Sequence, residues 1–319
     1  MQLTWKAALF ASLSGFFAAS PGIFMFPKLS EAAAQQAVEL QAAPLTIAGY
    51  HGFALRDGAF EMPNDGRAFV LGVPTNVTAD VLRAHRLASN KFAFSLQPLL
   101  VRTEKRVLLF DTGAGRNFGT GAGHILSSLA RARMRPEDIT DVFISHGHGD
   151  HIGGLITPEG RLAFPNATVH ISRAEWQWLR SMTNEKAKSD YFIGQHDELI
   201  TAVTPKIATF DPDATLIPGL VKAVDIRGHS PGHSAYMIGS GRQSVLFVGD
   251  TMHHSITSVV HPEWLIAFDG DKPIAKESRI ARERLWAQSG QRLYVGHFPY
   301  PGFGTIIRSG KGFVWHPLR

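Results

Sequence analysis

The chain has 319 residues, 44% of them hydrophobic, 18% charged and 10% aromatic, a globular balance that excludes a disordered tail, a collagen-like repeat and a multi-span membrane protein. Lys and Arg number 32 against 27 Asp and Glu, a formal charge of +5. Those positives are scattered, with no run of five or six, so no nucleic-acid partner is expected. Cysteine is absent, which removes disulfides, thiolate zinc ligands and a thiol nucleophile together. The fifteen histidines are the richer clue.

At the N-terminus, Lys6 precedes a mostly apolar stretch from Ala7 to Ala19, ended by Pro21-Gly22. A positive start followed by about a dozen apolar residues reads as an export signal rather than a transmembrane helix, which needs about 20. Ala32-Ala33-Ala34 offers a cleavage point before Gln35. Residues 1–34 are therefore expected to be a signal peptide, or an N-terminal anchor if uncleaved, and the protein to be periplasmic or secreted. Residues 35–319 read as one domain.

Residues 45–60 and 67–73 read as early strands, turning at Asp57-Gly58 and Asn64-Asp65-Gly66. Residues 78–88 read as a helix started by Thr78. Gln97–Arg102 and Arg106–Phe110 form a strand pair, and 124–134 a helix. Asp141–Ser145 is a short apolar strand, Thr168–Ile171 another, and Arg173–Arg180 a helix. Val221–Arg227, Ala235–Ile238 and Val245–Val248 are strands between Gly-rich turns. Residues 274–288 make a charged amphipathic helix before a last strand, Leu293–Val295. Strands and helices alternate while several strands are hairpin-paired, which predicts an α/β fold with mixed sheets. Val107–Thr112 and Val245–Thr251 echo one another, each an apolar strand ending in Asp-Thr, as two similar halves would.

Ser145-His146-Gly147-His148-Gly149-Asp150-His151 sets three histidines and an aspartate directly after an apolar strand. Imidazole is the commonest metal ligand, and carboxylate suits hard or borderline divalent ions. In extended backbone His146 and His148 point the same way and can grip one ion. Gly147 and Gly149, without Cβ atoms, allow a tight loop that turns Asp150 and His151 onto a second. Gly228-His229-Ser230-Pro231-Gly232-His233, Gly249-Asp250 and Gly296-His297 each place a ligand type at a strand end. His51, His85, His124, His170, His196, His261 and His316 stand alone and read as surface or hydrogen-bonded residues. His253 and His254 follow Asp250 closely, and one of them is a candidate for the pocket.

This ordered set resembles the metallo-β-lactamase superfamily over roughly residues 97–300. The resemblance implies an αββα sandwich of two mixed sheets flanked by helices, with the site along one edge. It implies that His146, His148 and His229 hold a first metal, that Asp150, His151 and His297 hold a second, and that Asp250 bridges both. His233 and Asp111 would stand behind the ligands. The ions expected are two divalent metals, zinc first, with manganese, iron or cobalt as alternatives. Two ions about 3.5–4 Å apart would bridge a water, acidify it to hydroxide and polarise the electrophile it attacks. Asp250 would fix the separation, and Asp150 would carry a proton between that water and the leaving group.

Asp111-Thr112-Gly113-Ala114-Gly115, Arg161–His170, Phe268-Asp269 and His297–Gly304 are similar to the methyl parathion hydrolase-type branch of that superfamily. That branch implies a homodimeric hydrolase of small esters, lactones or organophosphate triesters. Phe118, Trp176, Phe192 and Phe303 are the candidate pocket aromatics. A β-lactamase or a glyoxalase II-like thioesterase is the alternative reading of the same ligands. A non-catalytic metal-binding module is a third reading of another class, and would be expected to have lost a ligand position.

Overall fold

The computed structural model describes residues 42–310 and 312–318; the proposed signal at 1–34 lies outside them. The chain opens with β1 (Ala42–Ile47), β2 (Tyr50–Leu55), β3 (Gly58–Pro63), β4 (Val70–Leu71), α1 (Thr75–Ala84) and β5 (Lys91–Leu96). β6 (Leu99–Arg102), β7 (Val107–Phe110), α2 (Ile125–Arg131), β8 (Asp141–Phe143) and the single-turn α3 (Gly149–Ile152) follow. Next come β9 (Thr168–Ser172), α4 (Arg173–Arg180), α5 (Asn184–Tyr191), α6 (His196–Val203) and β10 (Ile207–Phe210). The second half runs β11 (Thr215–Ile217), β12 (Val221–Asp225), β13 (Ser234–Ile238), β14 (Val245–Phe247), α7 (Thr257–Val260) and β15 (Leu265–Ile266). It closes with α8 (Lys272–Ser289), β16 (Arg292–Tyr294), β17 (Phe303–Ser309) and β18 (Gly312–Pro317).

Two seven-stranded sheets result, in the orders β1-β2-β6-β7-β8-β9-β10 and β11-β12-β13-β14-β16-β17-β18. Both are mixed, with β7, β8, β9 and β10 parallel neighbours in the first and β14 and β16 parallel in the second. Strands that read as unbroken apolar runs are buried on both faces. Leu108 and Phe110 face the layer between the sheets, while Leu109 faces the helices outside. Val245, Phe247 and Tyr294 point into that same inner layer, whereas Leu246, Leu293 and Val295 pack outward with Trp286 of α8. The result is two helix-covered sheets face to face, an αββα sandwich.

Strand direction gathers the site. β12 is antiparallel to β13, and β13 to β14, so β12, β14 and β16 all finish at one edge of the second sheet. The segments that follow them carry His229, Asp250 and His297. From the first sheet, the segment after β8 carries His146 and His148 to the same place. Two small sheets, β3-β5 and β4-β15, stand over this edge around a separate cluster of Met62, Phe69, Val70, Leu82, Phe92, Phe94 and Ile266.

Several local expectations are corrected. Residues 45–60 hold β1, β2 and the start of β3, with a second turn at Ala48-Gly49 besides the one expected at Asp57-Gly58, and the strand expected at 67–73 is the two-residue β4. The helix expected from Thr78 begins at Thr75, after Pro74. Thr78 is buried inside it, donating through Oγ1 to Asn64 Oδ1 and the Thr75 carbonyl. β5, α5, α6 and the β17–β18 hairpin were not among the expected elements.

Candidate metal centre

His146, His148 and His229 converge from two sheets. Their ring nitrogens form a triangle: His146 Nε2 to His148 Nδ1 is 3.0 Å, His229 Nε2 to His148 Nδ1 is 2.9 Å, and His146 Nε2 to His229 Nε2 is 3.1 Å. The far nitrogens fix the tautomers. His229 Nδ1–H donates to Asp269 Oδ1 at 3.0 Å. Ser145 Oγ–H is committed to Asp111 Oδ2, so His146 Nδ1–H donates to Ser145 Oγ. His146 and His229 therefore turn bare lone pairs toward each other, an arrangement that a cation resolves and a hydrogen bond does not. Burial, followed by the neighbouring imidazoles, holds both His146 and His148 well below the usual histidine range, the neutral form a metal ligand needs.

Asp150, His151 and His297 form a second cluster. His151 Nδ1–H donates to Asp111 Oδ2 at 2.7 Å, and His297 Nδ1–H to the Ser95 carbonyl at 2.9 Å. Their Nε2 atoms each lie 3.5 Å from Asp150 Oδ2. Asp250 stands between the clusters, with Oδ1 3.3 Å from His151 Nε2 and Oδ2 3.1 Å from His297, 3.5 Å from His229 and 3.8 Å from His146. Burial opposes charge on His151, yet Asp250, Asp150 and Asp111 hold it well above its usual range. Burial likewise works against Asp150, but His151 and His297 draw it down to about 2. His148 Nε2, His151 Nε2 and Asp250 Oδ1 are buried without a hydrogen-bond partner. The carboxylates that hold a proton on His151 would equally favour a cation in its place, so these inward-turned nitrogen and carboxylate donors fit divalent cations.

The supports are equally specific. Asp111, at the end of β7 with a left-handed φ of 57°, accepts from Ser145 N and Oγ as well as from His151. Aspartate is among the residues that tolerate that backbone. His233 Nε2 accepts the Asp250 backbone N–H at 3.0 Å, and burial, then His229, pushes its pKa down to about 3. That contact needs Gly249, whose φ is +51° and whose Cβ would lie 2.5 Å from His233 Nε2. Behind His229, Asp269 also takes Arg279 Nη1 at 3.3 Å. That fully buried arginine donates to the Pro262 and Trp264 carbonyls as well.

Phe60, Phe94, Phe118, Phe192 and Phe268 wall a cleft of about 500 Å³, counted to its open mouth, above His148, Asp150, Asp250, His253 and His297, with Asp190 also lining it. Phe118 lies 5.4 Å from Phe60 and 5.5 Å from Phe192, ring centre to ring centre. Of the expected aromatics, Phe118 and Phe192 line this cleft; Trp176 and Phe303 do not. Trp176 is buried under the first sheet with Leu179 and Ile171. Phe303 pairs with Tyr294 in register and so points with it into the layer between the sheets. His253 lines the cleft, whereas His254 is packed among Phe69, Phe92 and Phe94.

Two readings of small residues change. Gly147 and Gly149 do not take a left-handed backbone; a Cβ on Gly149 would meet the Phe192 carbonyl oxygen at 2.1 Å, and one on Gly147 would press on Trp178, Glu175 and Leu179 at 3.2–3.3 Å. Close approach rules out any side chain at Gly149, while at Gly147 a Cβ would ask its neighbours to give by a few tenths of an ångström. The sequence reading also passed over Glu175. Its buried carboxylate accepts from Gly147 N, Ser230 Oγ and Gly232 N at 2.7–2.8 Å. The signal was present as Ser172-x-x-Glu175, which has the spacing of a helix capping box.

A family model described as the metallo-beta-lactamase superfamily matches residues 98–297. The chain belongs to that superfamily. Its fold is similar to the solved structure of AidC, a dizinc quorum-quenching lactonase in complex with a product, N-hexanoyl-L-homoserine, at 28% identity and a TM-score of 0.80, covering 87% of this chain and 97% of that one. The hydrolase AbOPH of the beta lactamase superfamily aligns at 27% identity and a TM-score of 0.76, over 88% and 98% of the two chains. An N-acyl homoserine lactonase of Bacillus cereus is 27% identical over 234 residues, 67% of this chain and 82% of its own. The protein is a metallo-hydrolase of this superfamily, with lactonases among its relatives.

Proposed function

We propose that the protein is a dinuclear-metal lactonase acting on neutral lactones that carry an apolar acyl or aryl group. The observation that carries this reading is Asp250, set between two buried ligand clusters beneath a phenylalanine-walled cleft. His146, His148 and His229 would hold one ion; Asp150, His151 and His297 the other; Asp250 faces both. Zinc is the ion we expect, in line with the dizinc lactonase AidC. Two divalent ions there supply Lewis acidity to the carbonyl and make water acidic enough to attack it near neutral pH.

The chain's own residues do the rest. Asp269, Asp111 and the Ser95 carbonyl orient His229, His151 and His297. The five phenylalanines cover the ligands, exclude water and offer an apolar seat to the acyl group. Asp150, about one-tenth exposed on the cleft surface, is placed to take up the attacking water's proton and return it to the alkoxide released on ring opening. His253, whose Nδ1 has no hydrogen-bond partner, faces the same space and can hydrogen-bond the substrate.

The cleft also bears on the alternatives. No lysine or arginine lines it, and Asp190 does, so beyond the ions themselves the carboxylates of a β-lactam or a glutathione thioester meet no side-chain counterion. A phosphotriester is neutral and is the second reading. We further place the activity outside the cytoplasm, on the charged and apolar start of the sequence; fractionation of producing cells tests that. The main test is a hydrolysis panel on metal-loaded protein, using an N-acyl homoserine lactone, an aryl lactone, an aryl phosphotriester, a glutathione thioester and a β-lactam. Rates are read before chelation, after it, and after zinc or manganese is restored. Lactones should dominate and the rate should follow the metal. Turnover confined to the thioester or the β-lactam would overturn the substrate assignment.

A further inference from the structure

We infer that Glu175 is a positioning residue: from helix α4 it clamps the two loops that bring His146, His148 and His229 together, and so sets the affinity of the three-histidine cluster selectively. The inference rests on the two-ion reading above.

Glu175 occupies the third position of α4, behind the cap Ser172, whose Oγ accepts the Glu175 backbone N–H. A glutamate here ordinarily folds back onto its own cap backbone. This one reaches away from the helix. Oε1 accepts from Gly147 N at 2.7 Å, on the turn between His146 and His148. Oε2 accepts from Ser230 Oγ at 2.8 Å and Gly232 N at 2.7 Å, on the loop that begins with His229. The cap serves the same junction, since Ser172 Oγ–H donates to the Gly232 carbonyl at 2.7 Å. Both loops lie flat on the helix: a Cβ on Gly232 would meet Ser172 Oγ at 2.2 Å and Glu175 N at 2.4 Å.

One carboxylate thus fixes where two chain segments more than eighty residues apart deliver their imidazoles. The second cluster is pinned by other means. Thr112 N and Oγ1 both donate to the His151 carbonyl at 2.8 Å, and Asn117 Nδ2 donates to the Gly149 carbonyl at 2.9 Å. Those bonds hold α3, with Asp150 and His151, independently of α4. Loss of the clamp should therefore loosen one cluster and spare the other.

Glu175→Gln keeps the shape but leaves one acceptor oxygen where two are used, and sets an NH₂ against either Gly147 N–H or the Ser230–Gly232 pair. The experiment is zinc release from holoenzyme to a chromophoric chelator, read as two phases. His148→Ala identifies the phase that belongs to the three-histidine cluster, and apo-protein melting is recorded alongside. In Glu175→Gln that phase should move to about 10–100-fold weaker binding, the range for residues that orient metal ligands, while the other phase holds its place. Ser230→Ala, which removes one donor, should move the same phase in the same direction by less. If Glu175→Gln does not fold, Ser230→Ala alone decides the matter, and an unmoved phase there overturns the inference. Two unmoved phases, or two phases weakened equally, also overturn it while leaving the two-ion reading intact. Wild-type protein that takes up fewer than two equivalents overturns both.

Discussion

The metal floor and the aromatic wall above it are built on opposite principles. Nearly every floor residue has a partner of its own: Asp269 behind His229, Asp111 behind His151, Ser95 behind His297, Glu175 behind two loops. The wall is held mainly by rings packed on rings, and it hangs from two two-residue strands, the antiparallel pair β3–β5 and the loops at 118 and 192. Directional bonds fix positions to fractions of an ångström, whereas apolar packing tolerates exchange at similar volume. The chemistry should therefore be unforgiving and the substrate range adjustable.

The sharpest way to break that contrast is His148→Ala. It should abolish turnover, by more than about 100-fold since even residues behind ligands cost that much, and remove most of one metal equivalent by elemental analysis. His233→Ala, which removes the acceptor of the Asp250 backbone N–H and a ring packed on His146 and His229 but no ligand, should keep both ions. Two full equivalents in His148→Ala would mean that the floor is not what these histidines form.

Trp176→Ala separates packing from pocket. Deleting this buried ring should cost about 3–5 kcal/mol in denaturant unfolding and leave KM unchanged, because the indole sits under the sheet. A selective KM effect would return Trp176 to the wall.

A third contrast sets the floor against the far end of the same strand. Asp141, at the start of β8, resists burial through His170, Thr140 and Arg106, which draw its pKa down to about 2. A carboxylate lowered from 3.8 on folding stabilises fully above pH 4 and loses that contribution as the pH falls toward 2. Asp141 should therefore account for up to about 2 kcal/mol of what metal-free protein loses across that window, with Asp150 adding its own share, and Asp141→Asn should make the slope shallower. An equal slope in the variant would remove Asp141 from the account.

The smallest effect belongs to the wall. Phe118→Ala should raise KM for a long-chain acyl lactone about tenfold, the scale of a lost apolar contact, and hardly change it for a short one. Equal losses on both would show that the ring supports the floor instead.

The same division governed what could be read from the sequence. The convergence of His146, His148, Asp150, His151, His229, Asp250 and His297 was legible because metal chemistry permits few residue types and strand ends present them in order. The double-sided strands were legible as continuous apolar runs. Phe118 and Phe192 could not be told from Trp176 and Phe303, because a phenylalanine over a cleft and an aromatic in a core leave the same mark, and only register separates them. Glu175 stayed hidden for a related reason: its local spacing satisfies a helix cap, and its partners lie at 147, 230 and 232. Nothing at short range points from Glu175 to those partners, which only the folded chain brings to it.

The chain has no cysteine, yet the ligand set spans it as a disulfide would. Donors 83 residues apart meet at His146 and His229, joining one sheet to the other, and others 47 apart meet at Asp250 and His297 within the second. Closing loops of that length withdraws conformational freedom from the unfolded chain, and ions bound only by the folded state add their own mass-action stabilisation. Against proteases, which act on transient openings, such an enzyme would be protected by bound metal rather than by oxidation. Its persistence should then rise and fall with the free zinc around it, whether or not substrate is present.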